Sequence, residues 1–367
     1  MLQERTETTA GHGFGAAMAR GRPRKEIDRS SHSGPERVDD RPSRPRRSVT
    51  RRSILRALGI APLLPLTGCF GDDWDSFEGR QLRLATGNPG GVFARYGDAL
   101  GAVLASRIGV VVDISQTDAS VENLRLVGAG KADIGMTLGD TAADAVRGRN
   151  VYTAPLDVVA LTRTYDSFVH LVVRAQSTIE AVTDLRGKRV GVGRHDSGTR
   201  LIATRILLEH NIGLDAVATS RHHLQDDAQA LVDDKIDAFF FVSGLPNEAI
   251  LALSEKIPIR LVSLESTAEA MIRSYASEYV AGPIPASTYG LTTATETVSV
   301  KNYVVADPAM SDDLAYAVTR VMFEEQDDID ERAEGVGQPN VAAGIFTSPL
   351  DLHPGALRYF REQRDDS

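Results

Sequence analysis

The sequence predicts an α/β protein in which strands alternate with helices around mostly parallel sheets. Short apolar runs bounded by glycine or polar residues alternate with segments whose apolar residues recur at helical spacing. The chain is 42% hydrophobic but only 6% aromatic, which suits cores built from Ala, Val and Leu. Its 367 residues are enough for two domains of ordinary size.

The unit that predicts both fold and function most clearly spans residues 190–213. It combines a short apolar strand, a polar loop and a helix for which Ser197 is a preferred N-cap. Gly198 and Thr199 let the backbone turn into that helix. Its first amides have no internal partner and lie at the positive end of the helix dipole, so the loop can receive an anion such as a carboxylate. An ordinary capped helix without a ligand is the alternative for this stretch alone.

Three earlier units repeat this strand, loop and helix order. A strand over 82–85 leads through the glycine-rich loop 86–91 into a helix that begins at Val92. A strand over 110–114 is followed by a helix over 121–129, for which Ser120 is the expected cap. A third strand, 132–136, runs into a loop over 137–140. In a parallel sheet ligands bind beyond the carboxyl ends of the strands, so we expect these loops to gather at one cleft.

The remaining chain continues the same alternation. Apolar runs predict strands at 158–161, 168–173, 238–242, 259–262 and 297–306. Helices are predicted over 266–276 and, with an amphipathic pattern, over 312–325. Pro283, Pro285 and Gly290 mark a long loop that crosses between lobes.

Two segments of the chain echo each other. Helix 124–129 leads through Lys131, Ala132 and Asp133 into a strand, and helix 228–232 leads through Lys235, Ile236 and Asp237 into another. Each strand is followed by small residues. The echo suggests two lobes of similar build, each directing strand-end loops at a shared cleft; chance similarity between two α/β segments is the alternative.

The N-terminal region differs in composition from the rest. Residues 1–68 hold 14 Lys and Arg against 7 Asp and Glu, whereas the remainder holds 27 against 43, within a formal net charge of -9. So acidic a body excludes nucleic acid as a partner. Residues 1–48 are predicted to be a disordered basic extension or an over-extended start site.

A targeting segment follows over 49–68. Paired arginines at 51 and 52, then a short apolar run, are typical of a signal peptide and resemble the twin-arginine export signal. The run is too short to span a bilayer. The sequence Leu-Thr-Gly-Cys ending at Cys69 resembles a bacterial lipobox, which predicts a lipid anchor at the only cysteine of the chain. Residues 69–80 would then form a tether.

Five segments together resemble a known family. They are NPGGVFARYG, TDASVENLRLVGAGKADIGM, LRGKRVGVGRHDSGT, FFFVSGLP and LHPGA. In this combination and order they are similar to the motifs of the TAXI family, the extracytoplasmic solute-binding proteins of TRAP transporters. The resemblance covers roughly residues 82–360. It implies a two-lobed periplasmic-binding-protein fold that closes around a small organic anion such as glutamate or a dicarboxylate, with an ion-coupled membrane permease as partner.

The sequence departs from the family pattern at two places. Phe93 stands in the glycine loop where the family commonly has an aromatic hydroxyl, which favours a less polar ligand. Arg194 precedes the Ser197 corner where small residues are common. Arg194 could contact a carboxylate across the cleft, or be a solvated loop charge balanced by Asp196.

Catalysis is not supported by the sequence. Asp196 stands where a dinucleotide fingerprint needs its third glycine, and there is no Walker loop or nucleophile elbow. His195, Asp196 and Ser197 are consecutive, so their side chains diverge. His222, His223 and the aspartates at 226 and 227 form a polar loop rather than a metal site. We expect no cofactor and no metal.

The sequence therefore predicts an extracytoplasmic, lipid-anchored solute-binding protein for a TRAP-type permease. Lobe 1 would span 81–173 plus about 286–367, and lobe 2 would span 174–285. A ligand-sensing lipoprotein and, third, an extracellular α/β hydrolase are the alternatives. The predicted ligand-binding residues are Thr86, Asn88, Gly90, Gly91, Phe93, Tyr96, Ser120, Val121, Asn123, Gly139, Asp140, Arg194, Ser197, Gly198, Thr199, Phe241, Ser243 and Gly244.

Overall fold

The computed structural model describes residues 77–275 and 278–365. The predicted extension, signal peptide and Cys69 lie outside these residues. In the described part the strands are β1 Gln81–Ala85, β2 Val111–Ser115, β3 Ile134–Leu138, β4 Val159–Arg174, β5 Arg189–Gly191, β6 Ala218–Ser220, β7 Ala238–Ser243, β8 Ile259–Leu261, β9 Tyr279–Ile284 and β10 Thr295–Ala306.

The α-helices of the described part flank these strands. They are α1 Val92–Ile108, α2 Ser120–Gly128, α3 Gly139–Arg147, α4 Gly198–Glu209, α5 Leu224–Val232, α6 Glu248–Lys256, α7 Glu265–Tyr275, α8 Asp312–Glu324, α9 Gln326–Arg332, α10 Val341–Gly344 and α11 Pro354–Asp365. Short 3-10 turns occur at Val182–Leu185, Leu214–Ala216 and Ala286–Thr288. No helix in this part of the chain has the length and apolar character needed to cross a bilayer.

The strands form one mixed sheet in the order β2-β1-β3-β10-β4-β7-β5-β6, with β8 beside β4 and β9 beside β10. β1 pairs in parallel with β2 and β3, and β5 pairs in parallel with β6 and β7. The two parallel triplets are joined through the antiparallel pair of β4 and β10. The architecture therefore consists of two α/β halves that share two central strands.

β4 and β10 serve both halves because they are unusually long, with 16 and 12 residues. β4 pairs with β10 up to Phe168 and then with β7 from Phe168 to Val173. Two strands were predicted here, at 158–161 and 168–173, and they are one continuous strand. The loop predicted around Pro283 is also wrong in part, because β9 pairs with β10 from Tyr279 to Ile284.

The internal echo is present at the level of individual hydrogen bonds. Arg83 on β1 binds Asp133 through its backbone N–H (2.7 Å), Nε (3.1 Å) and Nη2 (2.6 Å). Arg189 on β5 binds Asp237 through the same three groups at 2.8, 3.1 and 2.6 Å. Each aspartate follows a helix and precedes the third strand of its triplet. Both halves thus repeat the same contact, in which an arginine on the first strand binds an aspartate in the turn before the third strand.

Helices cover both faces of each half, and the cores follow from this layering. In the first half, α1 and α8 pack on one face and α2 and α3 on the other. In the second half, α4 and α7 cover one face, and α5 and α6 the other. One predicted helix start and one predicted loop were wrong. α2 already begins at Ser120, with Ala119 before it, and β3 passes directly into α3 at Gly139 without a loop.

A buried ion pair network joins α3 of the first half to α4 and β9 of the second. Arg205 donates from Nη1 to Asp140 (2.7 Å) and to the hydroxyl of Tyr279 (2.8 Å), and from Nη2 to Asp144. The Arg205 and Asp140 side chains are 6% and 0% exposed. Burial disfavours the guanidinium charge, but Tyr279 and the two carboxylates outweigh it and raise the pKa of Arg205 above its ordinary value.

We expect Arg205→Met to lower the free energy of unfolding by about 3–5 kcal/mol, because it leaves two buried carboxylates without a counterion. Arg358→Met is the matched control, since the pair of Arg358 with Asp313 is largely exposed and contributes about 0–1 kcal/mol. Urea denaturation of both variants measures the difference. Equal losses of stability would contradict a structural role for the network.

Candidate ligand-binding site

A cavity with about 400 Å³ of empty space, its mouth included, lies where α1, α2 and α4 begin. Its wall combines glycine backbone, small hydroxyl side chains and a few apolar side chains. The lining residues are Gly87, Asn88, Gly91, Val92, Phe93, Ala119, Ser120, Leu138, Ser167, Ser197, Gly198, Thr199, Phe241, Val242, Ser243 and Gly244. Both halves of the sheet contribute, so the cavity lies in the cleft between them.

Three helix N-termini meet at this cavity. The residues that precede α1 and α2 are Gly91 and Ala119, and neither provides a side-chain cap. Only α4 is capped, by Ser197, whose Oγ accepts from the N–H of Arg200 at 3.1 Å. The first N–H groups of a helix have no intrahelical acceptor and lie at the positive end of the dipole. The wall therefore presents backbone donors suited to an anion.

Ala119 carries a strained backbone on the cavity wall, with φ 82° and ψ -135°. Such a conformation costs a non-glycine residue about 1–3 kcal/mol. It is held by Thr117, whose Oγ1 accepts from the Ala119 N–H at 3.0 Å. On the residue before it, the Asp118 N–H donates to Glu122 at 2.6 Å. The strain turns the chain abruptly into α2 and directs the start of that helix at the cavity.

Three hydroxyl groups in the wall already accept hydrogen bonds from the protein. Ser120 Oγ accepts from the Leu138 N–H (3.1 Å), and Thr199 Oγ1 accepts from the Val242 N–H (3.2 Å). Ser243 Oγ accepts from the Asn247 side-chain amide at 3.3 Å. Since a hydroxyl has one hydrogen to donate, each of these groups keeps a donor for a ligand. The wall is thus rich in donors.

Contacts across the mouth hold the two halves together. Arg194 Nε donates to Asp118 at 2.8 Å, and Arg125 Nη1 lies 2.8 Å from Asp196. The Glu122 N–H donates to the Asp196 carbonyl oxygen at 3.2 Å. On another side of the mouth, the His223 ring nitrogen Nδ1 lies 2.7 Å from Asn88 Oδ1. These contacts define a closed cleft.

The Asp196 carboxylate is partly buried at this contact. Burial favours its neutral form, but hydrogen bonds from His195 and Arg125 and the charge of Arg125 outweigh that effect and lower the pKa of Asp196. The group therefore stays ionised in the closed form, and the contact weakens only as the pH falls through the acidic range.

The structure brings together many of the residues predicted from sequence. Ten of them line one cavity, namely Asn88, Gly91, Phe93, Ser120, Ser197, Gly198, Thr199, Phe241, Ser243 and Gly244. They come from loops more than 150 positions apart in the sequence. The predicted gathering of strand-end loops is what the topology produces.

Four of the predicted residues lie behind the wall instead. Thr86 and Asn123 are fully buried and bind each other, since the Asn123 side-chain amide donates to the Thr86 carbonyl oxygen and also to that of Met136 at 2.7 Å. Tyr96 is in the core against Tyr165, with ring centroids 6.4 Å apart. Val121, on α2, has its side chain in the hydrophobic core. These residues support the wall but do not reach the cavity.

The other four do not line the cavity, because each contacts another part of the protein. Asp140 is engaged by Arg205, and Gly139 packs against Tyr303. Gly90 faces the α5 side chain of Gln225. Arg194 pairs with Asp118, so neither expectation for it, a ligand contact or a balance with Asp196, describes its position.

Sequence reasoning missed Gly87, Val92, Ala119, Leu138, Ser167 and Val242 in the wall. Ser167 is the informative case, because it lies in the middle of β4, between the two shorter strands that were predicted. It is 1% exposed and donates to Asn302 on β10 at 3.1 Å. The residues just before it, 162–166, are mostly polar, so no apolar pattern in the sequence marked Ser167 as buried.

The model of the NMT1-like family matches residues 84–363. Among solved structures, the binding protein component of an ABC phosphonate transporter from Pseudomonas aeruginosa matches with a TM-score of 0.50 and 11% identity, covering 79% of this chain and 97% of that one. The alkanesulfonate-binding protein of Xanthomonas axonopodis pv. citri, bound to MOPS, matches with a TM-score of 0.42 and 12% identity over 77% and 84%. The likeness to the first confirms the predicted fold, a two-lobed periplasmic-binding-protein fold.

We expect Gly198→Ala to prevent full closure of the cleft. A Cβ at this position would lie 2.5 Å from Leu138 Cδ1 and 2.8 Å from Ser120 Oγ on the opposite wall. Gly282→Ala is the matched control, since its Cβ would make only an ordinary contact of 3.5 Å with Phe168. Small-angle scattering should give a larger radius of gyration for Gly198→Ala alone. An unchanged scattering curve would show that the walls do not meet at Gly198.

Proposed function

The chain belongs to the NMT1-like family, and from this we propose that it is an extracytoplasmic solute-binding protein that captures a small organic anion and delivers it to a membrane transporter. The observation that carries the proposal is the convergence of three helix N-termini, two without side-chain caps, on one cavity between two lobes. A binding protein of an ABC phosphonate transporter has the same fold, which supports the proposal.

Binding and closure are coupled in this proposal. In an open cleft the free amides of α1, α2 and α4 are hydrated separately. An anion held between the lobes is contacted by Gly91 on one wall and Gly198 on the other only when the cleft is closed. Because the ligand binds the closed form more tightly, it shifts the population toward closure. In this proposal the lobes follow the boundaries expected from sequence, except that the chain crosses between them within β4 and β10.

The geometry favours binding over hydrolysis. Ser197 Oγ donates to the Arg194 carbonyl oxygen at 2.8 Å and caps α4, so its hydroxyl is engaged by backbone. The ring of His195 is 72% exposed and contacts Asp196 rather than Ser197. A serine nucleophile needs a base within hydrogen-bond distance. Neither contact of Ser197 is with such a base.

For the transporter, we propose a TRAP-type permease on the strength of the five sequence segments. That resemblance by itself implies glutamate or a dicarboxylate as the ligand, whereas the chemistry of the cavity wall favours a different anion, as argued below. An ABC transporter is the alternative that the phosphonate-transporter component favours. Ligand uptake in cells distinguishes the two. Loss of uptake when the ion gradient is dissipated at constant ATP supports the TRAP type, and persistence of uptake supports the ABC type.

We further propose that Cys69 is lipidated after cleavage of the signal peptide and anchors the protein to the outer face of the bacterial cell membrane. Cys69→Ala is expected to release the exported protein from the membrane fraction, because the variant lacks the acyl chains. Fractionation of cells that express each form measures this. A variant that stays in the membrane fraction would contradict lipid anchoring.

The binding proposal predicts that an organic anion raises the thermal stability of the purified full-length chain. A ligand at 100 times its dissociation constant adds about 2.7 kcal/mol to the free energy of unfolding. A thermal-shift screen with carboxylates, keto acids, amino acids, sulfonates and phosphonates measures this. Gly198→Ala should lose most of the shift, whereas Gly282→Ala should keep it. No shift with any anion would overturn the proposal.

A further inference from the structure

The cavity wall carries no charged side chain, although the protein around it is rich in charge. All sixteen lining residues are uncharged. The charged groups at its mouth are paired with one another, Asp118 with Arg194 and Asp196 with Arg125. Resting on the function proposed above, we infer that the ligand carries a single negative charge on a short apolar body.

The positive potential and the hydrogen-bond donors of the site are concentrated at the helix ends. Each helix N-terminus is equivalent to about half an elementary charge, and this potential falls off within the first turn. Three such termini meet at the cavity, beside the donor hydroxyls of Ser120, Thr199 and Ser243. One carboxylate or sulfonate placed there receives donors from several sides. A second anionic group would have to lie away from them.

The remainder of the wall is unsuited to a second charge. Phe93, Leu138 and Phe241, with Val92 and Val242, are its apolar surfaces. Leu138 is 3% exposed and Phe241 is 7% exposed. A carboxylate placed against such side chains loses its hydration without gaining a counterion. A ligand with two separated carboxylates is therefore disfavoured.

An amino acid is disfavoured for the corresponding reason. Its ammonium group would need an acidic partner, and the wall provides neither Asp nor Glu. It would also lie close to the positive ends of three helices, which repel a cation. A keto or hydroxyl oxygen next to the carboxylate is compatible with the wall, because hydroxyl groups and the Asn88 amide can bind it.

The test compares five-carbon compounds on the purified full-length chain by titration calorimetry. Pentanoate, 2-oxopentanoate and pentane-1-sulfonate carry one charge; glutarate and 2-oxoglutarate carry two; norvaline and glutamate carry an ammonium group. We expect at least one of the single-charge anions to bind ten-fold or more tightly than every compound that carries two negative charges or an ammonium group. Comparison of pentanoate with pentane-1-sulfonate shows which anionic group the helix ends prefer.

Other outcomes separate this inference from the function on which it rests. If glutarate, 2-oxoglutarate, norvaline or glutamate binds within ten-fold of the best single-charge anion, the inference is overturned and the solute-binding function stands. If no compound in this panel or in the wider screen binds, both fail. In neither case does the result depend on a variant that has to fold.

A second measurement tests the apolar body of the ligand. Across acetate, propanoate, butanoate and pentanoate, each added methylene should strengthen binding by about fourfold while the apolar wall is contacted. Phe93→Ala, at a half-buried position of the wall, should flatten this series, because it weakens the binding of pentanoate more than the binding of acetate. A series that is flat in the wild-type chain would overturn the apolar part of the inference.

Discussion

The backbone N–H groups at the starts of α1, α2 and α4 are the interaction on which the site depends. They lack intrahelical acceptors by the geometry of a helix, and two of the three helices also lack a side-chain cap. The sheet topology places all three at one cleft. The strained Ala119 is explained by the same requirement, because it directs α2 at the cavity. Backbone donors, rather than charged side chains, define the chemistry of the wall.

The charged side chains near the site lie at the mouth of the cleft, where they pair across the two halves, and not in the cavity wall. Asp118 and Arg194, and Arg125 and Asp196, are paired across the mouth, where water still screens them. Exposed pairs of this kind contribute only about 0–1 kcal/mol each. A weak contribution suits a protein that must open again to release its ligand. By contrast, the pair of Arg205 with Asp140, which joins α4 to α3, is almost completely buried.

The repeated architecture explains how two halves with different loops can form one site. Arg83 with Asp133, and Arg189 with Asp237, fix the first and third strands of each triplet by equivalent hydrogen bonds. The loops that follow those strands are free to differ. In one half the loop after β1 carries Asn88; in the other, the loop after β5 carries Ser197, and Gly244 follows β7. β4 and β10 then connect the halves without a separate linker.

The sequence by itself determined the α/β class, the order of most elements, the Ser197 cap and the internal repeat, because these depend on periodicity and capping over short distances. It also indicated ten of the wall residues, since strand-end loops of a parallel sheet meet at one edge. Only the tertiary structure decided that Tyr96 and Asn123 face inward, that Asp140 is engaged by Arg205, and that Ser167 reaches the cavity. Those outcomes depend on contacts between residues that are far apart in the sequence, and a single sequence does not show which of them meet.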